Sequence, residues 1–283
     1  MGKYRIHKTD GTKEEVTGYI EKIITPEEVA KINGKAKIDD SNEFIRDMFG
    51  SFFHFWYSEI LKEDCNMAYM VRLLYMASYI NYDNSMIFDN GKKIKKKDLE
   101  TILRLSQRET YNTINYLLEN NFIVIDKKTK NVAIDESCIK KGAVDIQKDK
   151  IKDLGIARVF NEGIRGLYEN FPVNSHKLLG WFIKILPYLS VDYNIVCKNV
   201  NESDMELIEP LSWKELRVIL NDNEVTFSRN KNRLLKLTVK GECLVGEIKL
   251  KSKTLIIINP NLFYKGNKIN NMKWLCDVFE KLS

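Results

Sequence analysis

Between residues 95 and 135 the spacing of apolar positions changes twice, and each change marks a new element. Leu99, Ile102 and Leu103 stand at the spacing of one helical face, and Leu105-Ser106-Gln107 interrupts it. Ser106 lies three residues before Glu109, the spacing of a capping box, so a second helix is predicted there with Tyr111, Ile114, Leu117 and Leu118 on its inner side. Its outer side is polar: Gln107, Arg108, Thr110, Asn112 and Asn115. The hydrophobic run Phe122-Ile123-Val124-Ile125, a basic polar turn and Val132-Ala133-Ile134 then predict a hairpin with Lys127, Lys128 and Lys130 at its tip. Two helices followed by such a hairpin read as a helix-turn-helix with a wing. In a major groove the polar helix face donates to base edges and phosphates, and the wing lysines rest on the backbone.

Upstream, the Asp10-Gly11 turn between short apolar runs predicts an N-terminal hairpin, and residues 25–41 read as an arm or an edge strand around Ala36-Lys37-Ile38. Phe44, Ile45, Met48, Phe49, Phe52, Phe53, Trp56, Tyr57, Ile60 and Leu61 form a doubled stripe that predicts a core helix over residues 42–61. A helix over 67–80 follows, then a polar turn and a short strand at Met86-Ile87-Phe88.

The second half repeats this order. Ile156, Phe160, Ile164, Leu167, Tyr168 and Phe171 predict a helix comparable to that over 42–61, and residues 178–186 answer the helix over 67–80, ended by Pro187. Residues 188–196 align one for one with 79–87. After an acidic insertion over 201–209, Trp213, Leu216, Ile219 and Leu220 predict a helix, and Asn221-Asp222-Asn223 a turn. The helix from about Val225 carries Phe227, Leu234 and Leu235 inward and Ser228, Arg229, Asn230, Asn232, Arg233 and Lys236 outward. A second hairpin with Lys251 and Lys253 at its tip comes next, and residues 259–266 hold the place of 135–142. The last helix groups Trp274, Leu275, Val278, Phe279 and Leu282; it packs on its own domain or forms a homodimer contact. The fold expected is mainly α with small β wings (α+β), in two tandem winged helix-turn-helix domains. The arm or hairpin covers 1–41, the first domain 42–142, a charged linker 143–155 and the second domain 156–283 with its terminal helix.

Composition narrows the function classes. The 283 residues are 44% hydrophobic and 11% aromatic, enough for real cores, and the net charge of +6 is a modest basic excess. Lys92, Lys93, Lys95, Lys96 and Lys97 lead straight into the first helix pair, either as a solvated loop or as a phosphate clamp. Cys65, Cys138, Cys197, Cys243 and Cys276 are scattered without a CxxC pair and read as buried, reduced thiols. The polar first ten residues and the lack of a long apolar run predict a cytoplasmic protein without a membrane span. His7, His54 and His176 are isolated from one another, and no phosphate-cradling loop, GxSxG elbow or HExxH pair occurs. The expectation is a non-enzyme with no catalytic residue, metal or cofactor.

The chain resembles the winged-helix replication initiation proteins of Gram-positive plasmids and phages. The likeness rests on Tyr79-Ile80-Asn81-Tyr82-Asp83-Asn84, on the helix-and-strand pattern of residues 105–125, and on Asn259-Pro260-Asn261-Leu262-Phe263-Tyr264-Lys265-Gly266 after the second hairpin. In that family one winged helix is typical and the Asn-Pro and Lys-Gly close it directly, whereas here these features are divided between two halves. The resemblance implies site-specific binding of double-stranded DNA at an origin or operator, with host replication proteins as partners that do the chemistry. The alternatives are a phage or plasmid transcriptional regulator, or a winged-helix protein-interaction module. Against the module stand the polar faces around Arg108 and Arg229.

Overall fold

The computed structural model describes residues 2–7, 13–18, 43–61, 65–142, 144, 155–239, 241–249, 253–266 and 268–282. Met1–Glu43 form one unit and Phe44–Ser283 another. In the first, Gly2–His7 (β1) and Lys13–Gly18 (β2) make an antiparallel hairpin running from Gly2 opposite Gly18 to His7 opposite Lys13. The turn of that hairpin, the arm over 25–41, Lys251 and most of the linker over 143–155 lie outside the described residues.

Where one helix is expected over 42–61 the chain makes three elements. A helix over residues 43–49 (α1) stops at Gly50, whose φ of 77° suits glycine and breaks the helical run. Phe52–Trp56 is a strand (β3), and Tyr57–Ile60 a single helical turn (α2). All five β3 residues are buried, so the strand has no polar side, and spacing alone does not separate such a run from a buried helix. Then come Met67–Ala77 (α3), capped by Asn66 Oδ1 on the Ala68 amide, Leu99–Leu103 (α4), Gln107–Glu119 (α5), and the short strands Ile123–Ile125 (β4), Val132–Ile134 (β5) and Ile139–Lys140 (β6).

The second half departs from expectation in the same way. The helix expected over 156–171 is a strand, Ile156–Phe160 (β7), followed by a helix, Asn161–Glu169 (α6). His176–Lys184 (α7), Trp213–Ile219 (α8) and Glu224–Leu234 (α9) follow, then Thr238–Val239 (β8), Glu242–Cys243 (β9), the hairpin Val245–Lys249 (β10) with Thr254–Ile258 (β11), Phe263–Tyr264 (β12) and Ile269–Leu282 (α10). The architecture is mixed α/β with small antiparallel sheets.

One sheet draws strands from both halves, in the order β12-β7-β3-β6. Its centre is the antiparallel pair β3–β7, with Phe52 opposite Phe160, His54 opposite Arg158 and Trp56 opposite Ile156. One side is covered by α1 and α10, where Ile45, Phe49, Phe52, Phe160, Met272 and Leu275 share a cluster. The terminal helix thus buries Met272, Leu275 and Phe279 on its own chain, leaving Trp274 half-buried and Leu282 exposed. The main core joins α3, α5, α6 and α7, and α3 crosses α7 where Gly180 lies against Met67, too close to admit a Cβ. No described helix is long and apolar enough to cross a membrane.

The repeat is visible in hydrogen bonds as well as in element order. Asn84 and Asn194 are both buried with φ of 56° and 48°. Asn84 Nδ2 donates to the carbonyls of Ile134 (3.2 Å) and Ile139 (2.6 Å), and Asn194 Nδ2 to those of Ile258 (3.2 Å) and Phe263 (2.6 Å). Tyr79 corresponds to Tyr188, since their carbonyls accept from the amides of Ile87 and Cys197. The second half therefore holds one extra residue between Ser190 and Asn194, and the one-for-one alignment of 188–196 with 79–87 shifts by one beyond that point.

Candidate nucleic-acid interface

The turn between α4 and α5 is Arg104-Leu105-Ser106. Arg104 adopts a left-handed backbone (φ 52°), Leu105 is buried, and the Ser106 hydroxyl accepts from the Glu109 amide at 3.3 Å. The turn between α8 and α9 matches it. Asn221 is left-handed (φ 53°) and Asn223 Oδ1 accepts from the Thr226 amide at 2.9 Å. Both helix pairs are thus set by one positive-φ residue and a polar cap two positions later.

The roll of α5 about its axis is fixed from outside the helix. Arg72 of α3, only 2% exposed, donates from Nη1 to Glu109 Oε1 (2.7 Å) and to Thr113 Oγ1 (2.8 Å), and its Nε lies 3.4 Å from His176 Nδ1. The Tyr168 ring packs on His176 with centroids 4.4 Å apart. Burial first, and then the Arg72 guanidinium, push His176 down to about 4, against the opposing pull of Glu109. With Thr113 drawn inward, the buried face is Thr110, Thr113, Ile114 and Leu117. Two expectations fall with that rotation. Tyr111 is 59% exposed rather than inside, and Thr110 is 5% exposed rather than on the outer face.

Gln107, Arg108 and Asn112 are exposed on α5, and Asn115 is half-buried. Beside them opens a cleft of about 700 Å³. Lys95, Lys96 and Lys97 form one wall, Gln107, Thr110, Tyr111 and Ile114 of α5 another, and Lys128, Thr129 and Lys130 of the β4–β5 tip the third. The tip is folded around Asp126, whose Oδ1 accepts from the amides of Lys128 (3.0 Å) and Thr129 (2.6 Å) and from the Thr129 hydroxyl (2.7 Å). These bonds, chiefly those from Thr129, hold the Asp126 carboxyl below its usual range. The Lys96 amide donates to the Lys130 carbonyl at 2.9 Å and ties the lysine run to the hairpin. Glu100 is the one acidic side chain in the lining, and Lys127 is exposed outside it. Lys97 was foreshadowed by the lysine run; Tyr111 carried no such signal.

In the second half Ser228, Arg229, Asn232, Arg233 and Lys236 are exposed and Asn230 is half-buried. Arg233 donates from Nη2 to Ser175 Oγ at 3.0 Å. The corresponding cleft is smaller, about 440 Å³, and is furnished differently. Trp213, at the place Lys96 takes in the first half, donates from Nε1 to Glu247 Oε1. Lys231 Nζ lies 3.4 Å from that carboxylate and 4.7 Å from the Trp213 ring centroid. Lys253 Nζ donates to the Ile208 carbonyl at 3.3 Å. Two of the three lysines lining the second cleft, Lys231 and Lys253, are engaged within the protein, while Lys249 is exposed like the lysines of the first.

His54 is buried on β3 and pushed down to about 3 by burial and then by Arg158. Cys138 and Cys197 are buried, whereas Cys65, Cys243 and Cys276 are half-buried rather than buried as expected. Among the described residues no group of three or more His, Cys, Asp and Glu side chains is placed to hold a metal ion. No protein family, curated protein or solved structure matches this chain.

Proposed function

We propose that each half is a winged helix-turn-helix, α3-α4-α5 with the β4–β5 wing and α7-α8-α9 with the β10–β11 wing, and that the chain binds double-stranded DNA at a specific site. The role proposed is initiation of plasmid or phage replication in the cytoplasm, alongside host replication proteins, on the strength of the resemblance described above. One observation carries the DNA assignment: α5 presents Gln107, Arg108 and Asn112 to solvent beside a cleft walled by lysines from two other segments. Amide and guanidinium groups on an exposed helix suit the donor and acceptor pattern of a major groove, and flanking lysines suit the phosphates on either side. Neutralising those phosphates releases counterions, so binding of this kind weakens steeply with salt.

The test is selection of bound duplexes from genomic fragments by the full chain, followed by footprinting. Recovery of one recurring sequence, protected as a discrete footprint, supports the assignment; recovery without sequence preference, or none at all, overturns it. Origin-dependent maintenance of a plasmid carrying that sequence then separates an initiator from a transcription regulator.

A further inference from the structure

The shared sheet matches itself. Phe52 corresponds to Ile156 and Trp56 to Phe160, and in the pairing Phe52 faces Phe160 while Trp56 faces Ile156, so each central strand offers its partner the same positions. The outer strands obey the same rule. His54 faces Lys140 and Phe55 faces Ile139 on one edge, and their counterparts Arg158 and Val159 face Tyr264 and Phe263 on the other. An antiparallel pair with such a register has a local two-fold axis through its middle, here between His54 and Arg158.

The relation extends beyond the sheet. Lys141 Nζ donates to the Ile80 carbonyl at 3.1 Å, and its counterpart Lys265 Nζ donates to the Leu189 carbonyl at 2.7 Å. Helix α3 packs on its counterpart in the other half, α7. Two halves repeated by translation would hold α5 and α9 in the same polarity; a two-fold holds them in opposite polarity, as in a symmetric dimer of reading heads.

Building on the duplex-binding reading above, we infer that the chain reads a bipartite DNA site whose two half-sites lie in opposite polarity about a centre, α5 on one and α9 on the other, as a two-fold dimer fused into one polypeptide. The half-sites differ in base sequence, because Gln107, Arg108 and Asn112 on α5 correspond to no matching set on α9, where Ser228, Arg229 and Asn232 are exposed. Their separation is fixed by β3–β7 and α3–α7, not by the segment over 143–155.

The experiment uses the full chain and a duplex selected from a random pool, with hydroxyl-radical footprints of the wild type, Arg108→Ala and Arg229→Ala. Both arginines are exposed, so the variants keep the fold. Two protected blocks are expected, one weakened by R108A and the other by R229A. Reversing one block in place, or inserting about 5 bp, half a helical turn, between the blocks, should cost at least tenfold in affinity. A single block, two blocks of the same polarity, or unchanged affinity on reversal overturns the inference and leaves the duplex-binding reading standing. Failure to select any duplex overturns both.

Discussion

Asn84 and Asn194 do the same work in the two halves: each holds a left-handed backbone and bridges two carbonyls, one at the end of a hairpin strand and one in an edge strand of the shared sheet. Each residue therefore joins its hairpin to the sheet. Asn194→Ala removes both donors and leaves buried carbonyls unpaired, so it should cost about 2–4 kcal/mol. Asn194→Gly loses the same bonds but suits φ of 48°, and should be about 1 kcal/mol less damaging than the alanine. Urea unfolding of the three proteins checks the order; equal losses for alanine and glycine would remove the backbone part of the argument.

His176 sets a pH window for stability. In the unfolded chain it takes a proton below about 6.5, whereas in the fold it stays neutral to about 4. The unfolded state therefore binds more protons in that interval. Stability is complete above pH 6.5 and falls as the pH drops toward 4, by about 1.4 kcal/mol for each unit of downward shift. His54, pushed down to about 3, acts with the same sign. His176→Phe keeps a ring against Tyr168 and removes one titrating group, so its urea midpoint should decline less between pH 6.5 and 4.5 than that of the wild type. Parallel declines would show that His176 does not carry the effect.

Thr110 is 5% exposed and its hydroxyl has no hydrogen-bond partner among the described residues. Thr110→Val is nearly the same shape without that desolvated oxygen. A gain of about 0.5–1 kcal/mol in unfolding free energy is expected. A loss of stability would mean that the hydroxyl is satisfied in solution.

The two clefts predict unequal electrostatics on DNA. Lys128 and Lys130 are exposed at the β4–β5 tip, whereas Lys253 is bound to the Ile208 carbonyl. Lys128→Ala and Lys130→Ala should each lower the slope of log affinity against log salt by about 1, while Lys253→Ala leaves it unchanged. The same titration on Glu247→Gln, which removes the acid that holds Lys231 and Trp213, should steepen the slope. Equal effects of Lys128 and Lys253 would contradict the difference between the clefts.

Elements with local signals were legible in the sequence. Leu99, Ile102 and Leu103, the Ser106 cap, the span of α5 and the hairpin around Asp126 all follow from spacing and turn chemistry within a few residues. The central strands were not, because Phe52–Trp56 and Ile156–Phe160 are covered on both sides and show no alternation. Without those strands the two-fold relation between the halves stayed hidden as well. The sides of α5 on which Tyr111 and Thr110 fall are not local properties either. The helix is turned by Arg72, a residue 37 positions before Glu109 whose partners no local pattern reveals.

In the function proposed, α5 reads base edges in duplex DNA. The most direct test is fluorescence anisotropy of the selected duplex and a scrambled one, titrated with the wild type and with a variant carrying Gln107→Ala, Arg108→Ala and Asn112→Ala together. The wild type should prefer the selected duplex at least hundredfold, and the variant should lose most of that preference while keeping weak, salt-sensitive binding to both. Equal affinity of wild type and variant for the selected duplex would contradict the account.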